Sequence, residues 1–221
     1  MRNKLSKKEI LLTIAIPSIP SRMRMNLEPM FSRLMTQIGD RKDVEVVSIM
    51  DNKSMSIGKK RHLLHHIAQG KYCAIIDDDD DVTNDFVSEV CSAINSHDGV
   101  DVIHYNQEAI IDGVSFLIST DINAPMNPFD QLPKYPMDSH GNYIPCKRPP
   151  WHWCAWRTDY AKKYPFGDSF SGEDTLFATE ATKNITSHHK IDKILHVYKW
   201  SSKSTSAPLL PGNANPPVVL K

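Results

Sequence analysis

The chain has 221 residues, with 26 lysines and arginines against 26 aspartates and glutamates, 10 histidines and 4 cysteines. Its length fits one domain with a full core, and its balanced charge excludes both a strongly basic nucleic-acid binder and an acidic disordered protein. The cysteines form no C-x-x-C pair, which excludes a disulfide scaffold and a zinc ribbon. We therefore predict a reduced, soluble protein of the cytoplasm.

The N-terminal segment superficially resembles a signal peptide. Basic residues precede the apolar run Ile10–Ile16, but this run ends at Pro17 and lacks a small-residue cleavage site. It is also much shorter than the roughly 20 residues that a membrane-spanning helix needs, and no other stretch approaches that length. We predict a buried first strand here and no membrane span.

Strand-like and helix-like segments alternate over the first half of the chain. Short β-branched apolar runs predict four strands, at Leu12–Ile16, Val44–Met50, Tyr72–Ile76 and Val100–Tyr105. Apolar residues at three- and four-residue steps predict three helices, within residues 23–38, 57–68 and 86–94. Thr83 or Asn84 is expected to cap the third helix. The alternation predicts a nucleotide-binding α/β unit at about residues 11–105, with parallel strands and right-handed crossovers.

The pattern loosens over about residues 106–200. Asp112-Gly113, between two apolar runs, predicts a hairpin over residues 109–119, and the residues at 121–150, rich in Pro, Asn and Asp, predict a long loop. Further patterns predict two helices and a last strand, at residues 158–163, 174–183 and 191–200. We predict that residues 1–200 form a single domain and that residues 201–221 form an extended or disordered tail.

The neutral total hides two opposed blocks of charge. Residues 53–71 contain five basic residues and no acid, whereas residues 77–101 contain nine acids and no lysine or arginine. Asp77 to Asp81 directly follow a predicted buried strand, and ligands bind at the carboxyl ends of strands in open α/β sheets. Adjacent carboxylates repel one another, and a hard cation such as Mg²⁺ or Mn²⁺ relieves that repulsion. The alternative is a solvated acidic turn.

The basic block suits an anion. Ser56 to Arg61 open the second predicted helix, where free amides and the helix dipole favour phosphate. Gly58 permits close approach, and Lys59 or Arg61 is expected to pair with phosphoryl oxygens. The segment is not a Walker loop, because the second glycine and the Ser or Thr after the lysine are absent. Beside a metal-binding aspartate run, it indicates a nucleoside diphosphate.

These motifs resemble those of family-2-like glycosyltransferases of the GT-A fold. The shared features are the glycine and basic residues at 58–61, the Ala-x-Gly-x-Tyr turn at 68–72, the strand ending in D-x-D at 75–80, and Gly172-Glu173-Asp174 before a helix. The resemblance covers roughly residues 11–200. It implies an α/β fold of the GT-A type, with a Rossmann-like mixed sheet and flanking helices. It also implies a metal-dependent glycosyltransferase that uses a nucleotide-diphosphate sugar, with a UDP-sugar favoured.

The resemblance also implies roles for single residues. Asp174 would be the general base for the acceptor hydroxyl, with Glu173 beside it in the catalytic pair. Asp79 and His196 would bind Mn²⁺ or Mg²⁺, and the D-x-D register within Asp77–Asp81 is open by one residue. The implied nucleotide-sugar contacts are Pro17, Ser18, Arg22, Asp51, Gly58, Lys59, Arg61, Asp77 and Asp78. A single base opposite the leaving diphosphate implies inversion at the anomeric carbon.

The second half resembles phage-encoded glycosyltransferases, some of which are associated with TET/JBP-type oxygenases and glycosylate hydroxymethylated pyrimidines in DNA. The residues that carry this resemblance are Asn106-Gln107, Ile111-Asp112-Gly113, Arg148 to His152, Gly172-Glu173-Asp174 and Leu195 to Tyr198. It implies a DNA acceptor, ahead of a glycan or a lipid-linked sugar, and the host cytoplasm as the location of a phage-encoded protein. The twelve bases and seven acids from Lys134 onward are compatible with a polyanionic acceptor.

Three tryptophans fall within residues 151–156. They predict either a core strand beneath the acceptor site or an acceptor platform of Lys147, Arg148, Trp151 and His152, because aromatic rings stack on sugars and bases. The pairs His65-His66 and His188-His189 have no acidic or cysteine neighbours and are interpreted as surface residues. Two other classes stay open, a metal-dependent nucleotidyl- or prenyltransferase and a non-catalytic metal- or nucleotide-binding module.

Overall fold

One mixed β-sheet forms the centre of the protein. The computed structural model describes residues 9–126, 137–168 and 172–201. The strands in these ranges are β1 (Leu12–Ser18), β2 (Val44–Met50), β3 (Tyr72–Ile75), β4 (Asp81–Val82), β5 (Val102–Ile111), β6 (Val114–Thr120), β7 (Cys146–Arg148), β8 (Ala155–Arg157) and β9 (His188–Trp200). The main path through the sheet runs β2-β1-β3-β8-β5-β6-β7, and β9 pairs with both β5 and β4. The predicted tail lies outside the described residues, apart from its first residue.

The first three strands follow the prediction. β1 is apolar and fully buried, and it runs parallel to β2 on one side and to β3 on the other. β5 runs in the same direction but is not adjacent to β3, because β8 lies between them and is antiparallel to both. Trp156 of β8 pairs with Cys73 on one side and with Val102 on the other. The four predicted strands therefore run in the same direction, as expected, and the antiparallel β8 between the third and the fourth makes the sheet mixed.

The predicted hairpin is confirmed. β5 and β6 pair antiparallel around Asp112 and Gly113, whose φ values of 48° and 85° suit a two-residue turn. β5 is longer than predicted, because it continues through a bulge between Tyr105 and Gln107. The predicted loop at 121–150 contains β7, which pairs parallel to β6. Residues 127–136 of that loop lie outside the described part of the chain.

Helices flank the sheet, and their bounds differ slightly from the prediction. Those in the described ranges are α1 (Glu28–Ile38), α2 (Ile57–Ile67), α3 (Phe86–Ser96), α4 (Thr158–Ala161) and α5 (Glu173–Lys183). A π-helical turn at Met23–Leu27 precedes α1, so the first predicted helix is only partly α-helical. Thr83 and Asn84 do not cap α3, because its cap residue is Asp85 and the Val87 N–H donates to Gln37 Oε1 of α1 at 3.0 Å.

The helices cover both faces of the sheet. On one face, Phe86 of α3 meets Tyr105 edge-on with 5.7 Å between ring centres, and α1 lies beside α3. On the other face, Phe177 of α5 meets Trp156 edge-on at 5.4 Å, and α2 lies beside α5. Val102 pairs with Trp156 and shares its face, whereas Tyr105, three residues along β5, points the other way. Among the described helices, none is both long and apolar enough to span a membrane.

Candidate active site at the carboxyl ends of the strands

The carboxyl ends of β1, β2 and β3 lie side by side and carry polar residues. β1 ends with the buried pair Pro17 and Ser18, and Ser18 Oγ donates to Asp78 Oδ2 at 2.6 Å. Lys60 of α2 connects two of the strand ends, because its Nζ donates to the Ser18 carbonyl at 2.8 Å and also contacts Asp51. The parallel strands thus bring the polar segments that follow them to one edge of the sheet.

Lys60 is a residue of this site that the sequence analysis missed. Its side chain is 4% exposed, and it holds Asp51 in place. Burial works to raise the pKa of Asp51, but the contact with Lys60 and the hydrogen bonds from Ser54 and Met55 outweigh it and lower that pKa to about 2. Asp51 is therefore ionised and fixed before any ligand arrives. The signal that points to Lys60 is its position on the buried face of α2, one turn before Leu64.

Arg22 lies across the aspartate run that follows β3. Its Nη1 donates to Asp78 Oδ1 at 2.8 Å, and its Nη2 lies 2.9 Å from Asp79 Oδ2. Burial and the charges of Asp80 and Asp77 nevertheless raise the pKa of Asp79 to about 7, against the attraction of Arg22. The run therefore holds more negative charge than Arg22 compensates.

Arg61 joins the two halves of the candidate site. Its side chain is 4% exposed and projects from α2. Nη2 donates to both carboxylate oxygens of Asp77, at 2.8 and 2.5 Å, while Nη1 donates to Glu173 and lies 4.0 Å from Asp174. The arginine thus holds the segment after β3 against the first turn of α5. This arrangement differs from the expected contact of Arg61 with phosphoryl oxygens, since carboxylates already surround the guanidinium.

The two acidic residues that begin α5 have opposite pKa shifts. Burial raises the pKa of Glu173, and together with the charge of Asp174 it brings that pKa to about 7 despite the attraction of Arg61. Burial also works to raise the pKa of Asp174, but Arg61, His152 and the hydrogen bond from Trp151 hold it below its ordinary value. Asp174 is therefore an ionised carboxylate at neutral pH, which is the state that a general base needs.

The tryptophan segment packs against Asp174. Trp151 Nε1 donates to Asp174 Oδ2 at 2.8 Å, and His152 Nδ1 lies 3.6 Å from the same oxygen. Trp151 and His152 are only 8% and 4% exposed, and the Arg148 guanidinium lies over the Trp151 ring, 4.3 Å from its centre. The burial of Trp151 and His152 agrees with the alternative interpretation as a core strand, and β8 begins just beyond them at Ala155. Arg148 is half-buried, and the acceptor platform that includes these three residues stays a prediction.

Helix α2 begins beneath a loop and not at an open surface. Ser56 caps it by accepting the Lys59 N–H at 3.2 Å, and both Ser56 Oγ and Lys59 Nζ bind Asp168, at 2.8 and 3.0 Å. Gly58 is buried against Gly167, because a Cβ at position 58 would lie 1.8 Å from the Gly167 carbonyl oxygen. Gly58 thus permits the close approach of protein backbone and not, as predicted, of phosphate, and Lys59 faces a carboxylate.

The substitution Gly58→Ala is expected to destabilise the fold by about 1–3 kcal/mol, the usual cost of overpacking a buried position. The added methyl group forces α2 and the backbone at Gly167 apart. Urea denaturation measures the change in the free energy of unfolding. Leu63→Ala is the control, since Leu63 is 40% exposed on the same helix and surface changes usually stay within about 0.5 kcal/mol. Equal stability of the two variants would contradict this packing.

His196 lies buried beside the aspartate run. Its ring stacks on Trp153 at 5.0 Å, and Gln107 Nε2 donates to its Nδ1 at 2.7 Å. His196 Nε2 lies 3.2 Å from Asp80 Oδ2 without making a hydrogen bond. His196 is therefore next to Asp80. Asp79, the residue predicted to bind the metal ion together with His196, instead contacts Arg22. Within the described ranges no group of three or more His, Cys, Asp or Glu side chains is arranged to hold a metal ion.

His65 is buried, so its interpretation as a surface residue is wrong. It is 1% exposed, with ring centres 5.4 Å from Phe166 and 5.2 Å from Phe177 of α5. Burial lowers the pKa of His65 to about 3, so the ring is neutral and packs as an apolar group between α2 and α5. His188 is exposed, as predicted.

The fold is similar to that of S. aureus TarS, residues 1–349. With the crystal structure in complex with UDP-GlcNAc, the TM-score is 0.58 at 14% sequence identity, covering 90% of this chain and 61% of that chain. With the complex containing UDP, the TM-score is 0.56 at 16% identity, covering 87% and 61%. This chain thus spans about three-fifths of the TarS segment that it matches.

At these identities the likeness shows the fold alone. The protein has a mixed α/β fold of the GT-A type, with a central mixed sheet and flanking helices, which confirms the predicted fold class. No protein-family model matches the chain, and no curated protein is detectably similar to it in sequence. Its activity is therefore argued from the site itself.

Proposed function

We propose that the protein is a glycosyltransferase that moves a sugar from a nucleoside-diphosphate sugar, a UDP-sugar, to an acceptor hydroxyl. The observation that carries this proposal is the contact of Arg61 with both Asp77 and Glu173, which joins the acidic segment after β3 to the start of α5. Sugar transfer needs one acidic group that binds the donor and a second acidic group that activates the acceptor. The likeness in fold to TarS, seen in complexes with UDP-GlcNAc and UDP, supports a nucleotide-sugar donor.

The donor is assigned to the ends of the first three strands. Asp51 is proposed to bind the base and Asp77 the ribose, with Ser18 lining the pocket. Lys60 holds Asp51 and Arg61 holds Asp77 before the ligand binds. Groups that are already fixed lose little conformational entropy on binding, so this arrangement favours affinity.

Asp174 is proposed to be the general base. It would take the proton of the acceptor hydroxyl as that oxygen attacks the anomeric carbon and the bond from this carbon to the diphosphate oxygen breaks. The charge of Arg61 and the N–H of Trp151 keep Asp174 ionised and oriented for this step. One carboxylate acting from the side opposite the diphosphate gives inversion at the anomeric carbon.

The acidic run fits a bound Mn²⁺ or Mg²⁺. One or two carboxylates together with substrate phosphates suffice to hold Mg²⁺ in proteins, and the pKa of Asp79, raised to about 7, reflects the crowding of carboxylates in the run. The buried Nε2 of His196 has no hydrogen-bond partner although it lies near Asp80. If the Gln107 amide is turned over, its Oε1 accepts the Nδ1–H of His196 and leaves a lone pair on Nε2. We propose that Asp79 and His196 would hold the ion together with the diphosphate oxygens, and that the ion would supply positive charge for the departing diphosphate.

Asp79→Asn is expected to abolish metal-dependent binding of UDP without lowering the thermal midpoint of the metal-free protein, because it removes charge from a crowded run. A metal ligand must lose its proton. Since the pKa of Asp79 is about 7, Mn²⁺ affinity of the unchanged protein should rise as the pH increases through that value. Calorimetry with UDP and Mn²⁺ on either side of this pH measures both effects. Asp98→Asn, at a surface pair with Lys71, is the control, and metal-dependent binding by Asp79→Asn would contradict the assignment.

The acceptor is proposed to be a hydroxymethylpyrimidine in DNA, as for the phage-encoded enzymes that the second half of the chain resembles. The excess of bases after residue 133 supports this choice, and the place of action would be the cytoplasm of the host. A glycan is the second candidate, and the pocket described below favours it.

A transfer assay with Mn²⁺ and a panel of UDP- and GDP-sugars tests the proposed function. Each sugar nucleotide is offered water, hydroxymethylated duplex DNA, plain duplex DNA or a glycan mixture as the acceptor. We expect nucleotide release from a UDP-sugar, accelerated by hydroxymethylated DNA, and duplex binding that weakens steeply with salt. Folded protein that releases no nucleotide from any donor would contradict the glycosyltransferase. Acceleration by glycans and not by DNA would contradict the DNA acceptor.

A further inference from the structure

One pocket lies apart from the strand ends that form the candidate site. It has a volume of about 240 Å³, and its polar lining includes His104, Thr120, Asp121, Lys147, His188 and Lys190. His104 is two residues beyond Val102, which pairs with Trp156, so the pocket lies on the face of the sheet that carries α5. The proposed base, Asp174, is in the first turn of that same helix.

Hydrogen bonds determine which ring nitrogen carries the proton in each histidine of the pocket. Thr120 Oγ1 donates to the Tyr105 carbonyl at 3.0 Å, so it must accept from His104 Nδ1 at 2.8 Å. Burial lowers the pKa of His104 to about 3, so its ring is neutral and its Nε2 is an acceptor. That Nε2 lies 3.0 Å from His188 Nδ1, which must therefore donate. In its neutral form, the exposed ring of His188 then has Nε2 as a hydrogen-bond acceptor.

The remaining lining offers donors and acceptors together. Lys147 Nζ donates to Asp121 at 3.1 Å, and Lys190 Nζ donates to a serine hydroxyl of β6 at 3.0 Å. Each ammonium group has three N–H bonds, so both keep donors for a ligand. A hydrogen bond from the Asn123 N–H and the contact with Lys147 hold the pKa of Asp121 below its usual range, so its carboxylate is ionised and accepts further donors. Two acceptors, on His188 and Asp121, therefore stand beside two cationic donors.

This mixture selects among ligand classes. An anion offers only acceptors, and it would meet the lone pair of His188 and the carboxylate of Asp121. A metal ion would meet two ammonium groups, and no cluster of three metal-binding side chains forms in the part of the chain that the structure describes. A hydroxyl group donates and accepts at once, so several hydroxyls on one ring match the pocket. The volume suits a single ring, because pockets for larger ligands usually exceed about 300 Å³.

We propose that this pocket binds a single sugar ring of a glycan acceptor, the second of the two candidate acceptors. Its donors and acceptors recognise the ring hydroxyls, and its position on the face of α5 places the bound ring on the side of the sheet where the proposed base lies. The assignment to the acceptor rests on the proposed function, whereas the recognition of a sugar ring does not. A glycan supplies such a ring in every unit, which is why the pocket favours a glycan acceptor.

Nuclear magnetic resonance of the full chain, with the histidine ring nitrogens and the lysine side-chain nitrogens labelled, tests this proposal. The probes are methyl glycosides of glucose, galactose and N-acetylglucosamine, together with inorganic phosphate and a short DNA duplex. We expect at least one glycoside to shift the signals of His188 and Lys190 with a Kd in the millimolar range. We also expect the free protein to carry the His188 proton on Nδ1.

Two variants and a control sharpen the test. His188→Phe keeps an aromatic ring but removes both ring nitrogens, which are the acceptor for the ligand and the donor to His104. Lys190→Met removes a donor at the rim, and each change should weaken glycoside binding about tenfold. His189→Phe is the matched control, because His189 stacks on His97 at 3.6 Å and points to the other face of β9. It should leave the binding unchanged.

The outcomes separate the pocket from the proposed function. The proposal is overturned if phosphate or DNA shifts His188 while no glycoside does, if neither variant weakens glycoside binding, or if the free protein carries the His188 proton on Nε2. Glycoside binding in a protein that releases no nucleotide from any donor would support the sugar pocket and contradict the glycosyltransferase. Sugar transfer to DNA by a protein that binds no glycoside would support the glycosyltransferase and contradict the sugar pocket.

Discussion

Arg61→Met is expected to destabilise the fold by about 3–5 kcal/mol, the usual cost of removing one partner from a buried ion pair. Its guanidinium is buried between Asp77 and Glu173, and without it the buried carboxyl group of Glu173 and the half-buried carboxylate of Asp77 both lose their cationic partner. Sugar transfer should be lost as well, because Arg61 holds the segment after β3 against α5. Urea denaturation measures the loss of stability, and the transfer assay measures the loss of activity.

Lys59→Met is the matched control for Arg61→Met. Lys59 lies two residues away on the same helix, and both it and its partner Asp168 are about 60% exposed, so this change should cost less than about 1 kcal/mol. Arg61→Lys keeps the charge, but a single ammonium group does not replace a planar fork that reaches two carboxylates. The stability of Arg61→Lys should lie between the stabilities of Arg61→Met and Lys59→Met. An Arg61→Met protein as stable as Lys59→Met would contradict the joining role of Arg61.

Asp174→Asn is expected to lower the rate of sugar transfer by about 10²–10⁴-fold, the usual contribution of a general base. The amide has the same shape and still accepts the hydrogen bond from Trp151, but it does not take a proton. Stability should fall slightly, because the pKa of Asp174 lies below its ordinary value and the folded protein therefore favours the ionised carboxylate. Binding of UDP with Mn²⁺ should be unaffected, since Asp174 is not assigned to the donor. Initial rates and calorimetry measure these two quantities separately.

Glu180→Gln provides the comparison for Asp174→Asn. Glu180 lies on the same helix and makes an exposed pair with Lys183, so its loss should change neither the rate nor UDP binding. Unchanged turnover in Asp174→Asn would remove Asp174 from the mechanism. Loss of UDP binding together with turnover would show that Asp174 acts on the donor side instead.

The strands and helices of the first half are predictable because their signals are local. β1 and β2 are continuous apolar runs, and the turn at Asp112-Gly113 needs positive φ values that these residue types adopt readily. β7 is not predictable in this way, since three residues carry no periodicity, and β8 is predicted only as a core strand within the tryptophan segment. The place of β8 is set by Trp156, which fits between β3 and β5 only in the folded sheet.

The acidic groups of the site are visible in the sequence, but the cations that hold them are not. Lys59 and Arg61 stand in one basic block and look equally suited to phosphate. The helical geometry of α2 exposes Lys59 and buries Arg61 among carboxylates. The buried role of Lys60 and the contact of Trp151 with Asp174 likewise depend on packing between separate segments. Burial of a charged side chain is a property of the whole fold, so local spacing does not reveal it.

A crystal structure of the chain with UDP and Mn²⁺ tests the central claim most directly. The account predicts that the uracil lies at Asp51, the ribose at Asp77 and the diphosphate at the aspartate run, with Mn²⁺ bound through Asp79 or Asp80. UDP bound at another surface, or a site at these strand ends that stays empty at saturating UDP and Mn²⁺, would contradict it.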